Sequence, residues 1–379
     1  MRTLHVAALP FPSAQGTQGL LHAMLSALQA HGHDAHLLCY AHGSAFEAPP
    51  AYQVHRAAGR GASLRSGPSG EKLWLDVSLG RALVGLVRRL RPDAVIAHHV
   101  EAAALALALV EPPVLFVTHT SLASELPTFF PRVRAAPLAY AGGRFDRVLV
   151  RRAARTLAVS PLLADVLARD AKHPVHALTL PWRVPPPITP EERRAARRAL
   201  GLDENAEVLL YAGNLDAYQG LAPMLAGIEA LSRPKLQLVL ATAAPRDEAV
   251  KCAATIARQL TVAPLADENS RRRVHAAADV ALVPRRSPGG LPIKLLDALA
   301  RGVPVVAQAR ALAGLPLASL CEVVPDDAPR SWAEVVARAL RAAPEGRAAE
   351  ARTYLLRKHD PAAFVAEFEA HVAACAAHP

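Results

Sequence analysis

Short apolar runs alternate along the chain with longer stretches whose apolar residues recur at helical spacing. In the first half the short runs are "TLHVAAL", "DAHLLCY", "DAVIAHH", "PVLFVTH", "RTLAVS" and "VHALTL". Between them "GLLHAMLSALQAHG", "KLWLDVSLGRALVGLVRRL", "EAAALALALV" and "PLLADVLARD" predict helices, and the stretch after "DAHLLCY" reads as loop. Continuous apolar runs of strand length, separated by helices, predict βαβ units and parallel sheets covered on both faces. A second series repeats the alternation. Its strands are "EVLLYAG", "LQLVLAT", "QLTVAP", "DVALVP", "VPVVAQ" and "CEVVPD". Its helices are "LAPMLAGIEAL", "DEAVKCAATIAR", "ADENSRRRVHAAA" and "LPIKLLDALARG", with helical sequence from Ser331 to Ala376.

The stretch from Pro181 to Leu202 interrupts the rhythm. Its prolines exclude a helix interior and predict a stiff connector. Thr189, then Pro190 and two glutamates, predicts a capped helix start. The expected fold is therefore α/β, with two Rossmann-like doubly wound domains facing a central cleft. The boundaries are 1–182, 183–360, and a helix over 361–379 that crosses back to the first domain. Ligands of such sheets bind at the carboxyl ends of the strands.

A length of 379 residues agrees with two domains, and 52% hydrophobic against 20% charged residues excludes a disordered chain. The net charge of +10 favours anionic partners without naming one. No zinc-finger spacing, aromatic RNA-recognition pattern or basic recognition helix is visible, so no nucleic-acid partner is expected. Cys39, Cys252, Cys321 and Cys375 are far apart and read as buried free thiols of a reducing compartment. "MRTLHVAALPFPS" reads as a first strand rather than a signal peptide, and the longest apolar run, Ala102–Val110, is half a membrane span. The expected location is cytoplasmic, with peripheral contact on the inner membrane face left open.

The densest candidate chemistry is "VPRRSPGGLPIKLLDALARGVPVVA", Val283–Ala307. Gly289 and Gly290 let backbone approach a ligand, and the N-terminus of the following helix offers free N–H groups: an anion site by construction. Arg285 or Arg286 adds charge, Lys294 stands in the first turn, and Asp297, one turn on, can accept from hydroxyls. The plainer alternative is a glycine turn with solvated charges. "PSAQGTQG" brings Gly16 and Gly19 to the start of a helix, either as phosphate-side amides or as a simple helix-start loop. His98 and His99 end one strand, with Glu101 after them; they line a pocket or cap the next helix. Glu125 is a further acceptor-side candidate. No G-x-G-x-x-G, H-E-x-x-H, P-loop or serine elbow occurs.

The opening "ALPFPSAQGTQGLLHAMLSALQAHGHDAHLL", then "LLYAGNLDAYQGLAPMLAGIEAL" and "LPIKLLDALARGVPVVA", in that order across two α/β domains, resemble the retaining GT-B glycosyltransferases of family four, of the glycosyl transferases group 1 type. The resemblance implies transfer of a sugar from a UDP- or GDP-sugar to a hydroxyl acceptor (glycan, glycolipid or small molecule) with retained configuration. It implies neither metal nor other cofactor, in agreement with the lack of Asp-x-Asp. The family's donor loop carries two acids eight positions apart. The second, which binds ribose, corresponds to Asp297, and the first falls on Gly289. The family's Arg and Lys after the domain's first strand correspond to Asn214 and Gln219, beyond Gly213. Either the donor site is degenerate, or Arg285 and Lys294 replace the lost pair, as in a subgroup with a Pro-Arg…Gly…Pro-x-Lys loop. The resemblance further assigns His119 to the donor sugar and the backbone near Pro264 and Leu265 to the base. The alternatives within the same fold are a sugar-nucleotide 2-epimerase and a non-catalytic partner subunit.

Residues 129–157 hold seven arginines and one acid, interleaved with Phe129, Phe130, Tyr140 and Phe145. Such a segment either rests on anionic lipid, which would suit a lipid-linked acceptor, or is a solvated helix face.

Overall fold

The computed structural model describes residues 1–13, 16–44, 49–59, 70–130, 132–256, 260–286, 290–342 and 345–376. The first series comprises β1 (Arg2–Ala7), α1 (Gly16–Ala30), β2 (Asp34–Cys39), β3 (Gln53–Arg56), α2 (Gly70–Leu90), β4 (Ala94–His98), α3 (His99–Leu109), β5 (Val114–Thr118), α4 (Leu122–Phe129), α5 (Ala135–Arg152), β6 (Arg155–Ala158), α6 (Pro161–Ala168) and β7 (Val175–Ala177). The second comprises α7 (Pro190–Ala199), β8 (Glu207–Ala212), α8 (Leu221–Glu229), β9 (Leu236–Thr242), α9 (Arg246–Cys252), β10 (Leu260–Pro264), α10 (Glu268–Ala277), β11 (Val280–Val283), α11 (Ile293–Ala300), β12 (Val305–Gln308) and β13 (Glu322–Val324). Three helices follow: α12 (Pro329–Ala339), α13 (Glu345–Lys358) and α14 (Pro361–Ala376).

Among the described residues the strands form two sheets, ordered β3-β2-β1-β4-β5-β6-β7 and β10-β9-β8-β11-β12-β13, with every pair parallel. Both are doubly wound, and in each the strand order reverses once, at β1/β4 and at β8/β11. Central strands are buried along their whole length, as in β4, β5 and β9, which is why they read as unbroken apolar runs. Edge strand β3 carries no such run; Gln53 and Arg56 are exposed, and the expected loop is in fact a strand. Helix α9 is shorter than expected: it stops at Cys252, and the Ala253 N–H closes the last turn on Ala249.

The connector ends as its residues dictate. Thr189 Oγ1 accepts from the Glu192 N–H at 3.2 Å, and the Glu192 carboxylate accepts from the Thr189 N–H at 2.9 Å, a reciprocal cap on α7. Buried Arg197 of the same helix donates twice to Asp279, which also accepts from the Val208 N–H at 2.8 Å and so ties α7 to β8. The chain returns near the connector. The Trp182 N–H donates to the His359 carbonyl at 3.0 Å, and the His359 imidazole lies 2.7 Å from the Leu180 carbonyl. Beyond it α14 packs on α1, and Phe368 stacks on His5 of β1 with ring centres 5.9 Å apart. No described helix is long and apolar enough to cross a membrane.

Helices α8 and α12 meet where Gly227 has no side chain; an added Cβ would lie 2.5 Å from the Pro329 carbonyl oxygen and 2.6 Å from Trp332 Cβ. Gly85, inside α2, faces nothing within 4 Å. Gly227→Ala is therefore expected to destabilise the chain by about 1–3 kcal/mol, and Gly85→Ala to stabilise it by up to about 1 kcal/mol. Urea unfolding of both variants checks the opposite signs.

Candidate active site between the two sheets

The carboxyl ends of strands from both sheets open into one cleft. Its lining includes Ala8, Leu9 and Pro10 after β1, His99 after β4, His119 and Thr120 after β5, Gly213 and Asn214 after β8, and Arg285 after β11. Those after β1, β4, β8 and β11 flank the two reversals of strand order, where a crevice must form because adjacent crossovers run to opposite faces, and those after β5 stand one strand further on. The start of α1 meets the start of α11 across the cleft. A Cβ on Gly16 would sit 3.0 Å from Ile293 Cγ1, so only glycine leaves this approach unhindered.

On the second-sheet side the geometry centres on Lys294. Its Nζ donates to Gln219 Oε1 at 2.6 Å and to the Tyr211 hydroxyl at 3.0 Å, and lies 4.4 Å from the centre of the Tyr211 ring. Gln219 donates in turn to Asn214 Oδ1 at 2.6 Å, and the Asn214 amide donates to Asp216 at 2.6 Å and to the Tyr218 hydroxyl at 2.9 Å. Tyr211 donates its own hydroxyl proton to the Asn214 carbonyl. Desolvation, then the charge of Arg285, holds the Lys294 pKa well below the usual lysine range, with Asp216 opposing both. Asn214 and Gln219, which lack the expected cations, thus form a chain of amides that ends on the lysine.

The two arginines of the loop part company. Arg285 lines the cleft, its guanidinium 5.9 Å from the centre of the Tyr218 ring, whereas Arg286 pairs with Asp327 at 2.9 Å outside the lining. Burial lowers the Arg285 pKa, and Tyr218 and Glu125 act against that shift. Gly290 is buried between Arg285 and the first sheet; a Cβ there would lie 2.4 Å from Arg285 Nη2 and 3.1 Å from the His119 carbonyl oxygen. Leu291 lines the cleft. Gly289 lies outside the described residues.

Asp297 is buried at the cleft and not free. Its Oδ1 accepts from Arg301 at 2.7 Å, and its Oδ2 is 3.5 Å from Arg271 Nε. Arg301 also donates to Glu268, so the carboxylate is oriented from two helices with lone pairs to spare. Leu265 lines the cleft, but its N–H is already given to the Thr242 carbonyl at 3.1 Å. Pro264, the last residue of β10, is exposed and is not among the residues that line the cleft.

On the first-sheet side His119 is buried, and the His99 ring stacks on it at 4.7 Å. His99 stands at φ 66°, in the left-handed region, so backbone strain accompanies the placement of this ring. Glu125 lines the cleft and accepts from the Thr120 hydroxyl at 2.7 Å. Helix α4 is held there because buried Asp146 of α5 accepts from the Leu122 and Ala123 N–H groups, each at 3.1 Å. Tyr211, Tyr218 and Arg271 were missed by sequence reasoning. Tyr211 sits in an apolar strand run, and only the network around Lys294 exposes its role.

Two doubly wound sheets facing one cleft define the GT-B fold. Residues 14–179 match the model of Glycosyltransferase Family 4, and residues 206–342 match that of Glycosyl transferases group 1. The chain thus carries an N-terminal family 4 domain and a C-terminal group 1 domain. Over 176 residues it is 32% identical to a D-inositol 3-phosphate glycosyltransferase of Mycolicibacterium gilvum, a match covering 43% of this chain and 39% of that protein. The chain therefore spans about two fifths of the length of that curated relative. Among solved structures, a sucrose-phosphate synthase of Thermosynechococcus elongatus superposes with a TM-score of 0.78 at 15% identity, covering 97% of this chain and 98% of the other. HepE of Anabaena, in complex with UDP and glucose, superposes with a TM-score of 0.76 at 13% identity, covering 98% and 99%. At such identities these likenesses show the fold.

The depressed Lys294 pKa has a signed consequence. The unfolded chain binds this proton more tightly than the folded one, so the burden on the fold is fully present below the folded-state pKa and fades as pH rises through it toward the usual lysine range. Lys294→Met is expected to unfold at a higher temperature than the parent near neutral pH, with the gain shrinking as pH is raised. Thermal unfolding across alkaline pH checks the trend.

Proposed function

We propose that this protein transfers a sugar from a nucleotide-sugar donor to a hydroxyl acceptor with retained configuration. The observation that carries the reading is the meeting of Arg285 and Lys294, at the reversal point of one sheet, with His119, at the carboxyl end of β5 in the other. The matched family models and the named relatives support the class. HepE bound to UDP and glucose, and an Arabidopsis starch synthase bound to ADP, support a nucleotide in the cleft. In this reading 1–182 is the acceptor side, 183–360 the donor side, and 361–379 the helix that returns to the first domain.

The chemistry follows from the charges. As the anomeric C–O bond breaks, its electron pair goes to the diphosphate oxygen. Arg285, Lys294 and the first N–H groups of α11 stabilise that charge, which makes this a metal-independent site. Gly16, Gly213, Gly290 and Leu291 keep the backbone close to the phosphates. Gln219 and Asn214 hold Lys294, Asp297 takes the ribose hydroxyls, and Leu265 flanks the base. The acceptor hydroxyl attacks on the leaving-group face and gives its proton to the departing phosphate oxygen. His119 contacts the donor sugar, and His99 with Glu125 lies on the acceptor side.

A thermal-shift series with UDP-, GDP- and ADP-sugars tests the donor. One nucleotide is expected to raise the unfolding temperature, by about 2.7 kcal/mol of added stability at a hundredfold excess over Kd. Lys294→Ala is expected to lower nucleotide release from that donor at least about a hundredfold, with parent turnover unchanged in EDTA. Full turnover of Lys294→Ala would remove the leaving-group role. Stabilisation by no nucleotide would leave the non-catalytic partner as the reading, and isomerised donor without acceptor would leave the epimerase.

The acceptor is proposed to be lipid-linked, on a membrane that this protein meets from its cytoplasmic side. Phe130, Val133, Tyr140, Phe145 and Val148 are exposed on and beside α5, among Arg132, Arg134, Arg144 and Arg151. Co-sedimentation with phosphatidylglycerol vesicles, and its loss in Phe145→Ser/Val148→Ser, is the expected result. Equal sedimentation with neutral phosphatidylcholine vesicles, or none with either, argues for a solvated helix.

A further inference from the structure

Three imidazoles run in a line from the cleft into the first sheet. His5 Nδ1 lies 3.0 Å from His98 Nε2, and His98 Nδ1 lies 3.1 Å from His119 Nε2. All three residues are buried. The register explains the line. His98 pairs with Ala7, two positions beyond His5, and with Val117, two positions before His119. Residues two apart share a face, so the three rings stand on one face of β1, β4 and the end of β5. Phe368 stacks on the inner ring and His99 on the outer one. At the two ends, His5 Nε2 and His119 Nδ1 are buried without a hydrogen-bond partner among the described residues.

Each link needs one N–H and one lone pair, and a neutral imidazole has one of each. Burial keeps the rings neutral: desolvation lowers the His5 pKa to about 3 and holds those of His98 and His119 well below the usual histidine range. Only two arrangements then satisfy both links. With every proton on Nδ1, the inner end is a bare lone pair at His5 Nε2, and the outer end is an N–H at His119. With every proton on Nε2, a buried N–H is orphaned against Phe368. Either arrangement leaves one buried N–H without a partner among the described residues, which is rare; His119, unlike His5, lines the cleft, where a bound ligand can complete the bond.

We infer that His5 and His98 are positioning residues that hold His119 as its Nδ1–H tautomer, so that the cleft is offered a hydrogen-bond donor. The chain of rings limits the three to two arrangements. The choice of the one with Nδ1–H at His119 rests on a ligand in the cleft, hence on the proposed function, as does the identity of the accepting atom, a sugar or phosphate oxygen of the donor.

Long-range 1H–15N correlation spectra of the full chain, labelled with 15N-histidine, test this directly; the His119 resonances are those lost in His119→Asn. The expected spectrum shows His119 protonated at Nδ1, and finding it at Nε2 overturns the inference. His98→Leu is expected to release His119 toward Nε2–H. His98→Asn, whose amide nitrogen stands near the former Nδ1, should keep the parent tautomer. Persistence of Nδ1–H in His98→Leu also overturns it. With the donor found by thermal shift, His98→Leu should lower kcat/KM about tenfold, the worth of one hydrogen bond, and asparagine should restore most of it. An equal loss in both variants would mark a packing role and overturn the inference. If no nucleotide sugar binds, the proposed function fails, and the spectra still decide the tautomer.

Discussion

Every strand of both sheets runs parallel, and this one constraint places the rest. Parallel strands present all their carboxyl ends on the same edge, and the two edges face each other. Loops that would be scattered in an antiparallel fold therefore converge. The residues after β1, β4 and β5 meet those after β8 and β11 because no other arrangement buries both faces of each sheet and leaves one crevice at each reversal of strand order.

Within that crevice burial works against the fold. Lys294 is desolvated beside Arg285, an arrangement that lowers its pKa and costs stability. The surroundings soften the cost without removing it: an amide oxygen, a phenol oxygen and an aromatic face surround the ammonium. A dianionic ligand would supply the missing charge. On the opposite wall the buried histidines solve a related problem differently, giving up charge to remain neutral and linked.

Much of this was legible in the sequence because its causes are local. Unbroken apolar runs announced the buried strands, and Thr189-Pro190 with two glutamates announced the start of α7. Arg285, Lys294, Asp297, His119, His99 and Glu125 could be picked out as charged or titratable residues at predicted strand or helix ends, and all line the cleft. Strand β3 was not legible, since an edge strand with exposed Gln53 and Arg56 needs no apolar run.

Alternation of apolar runs and helical stretches determined two doubly wound domains, since hydrophobic burial acts residue by residue along the chain. Pairings between distant residues belong to the tertiary structure. Only strand register brings His5, His98 and His119 into one line, and only the approach of β8 to α11 sets Tyr211 and Gln219 on Lys294. Hydrogen bonds and desolvation depend on distances of a few ångströms between segments remote in sequence, and the packed fold alone sets those distances.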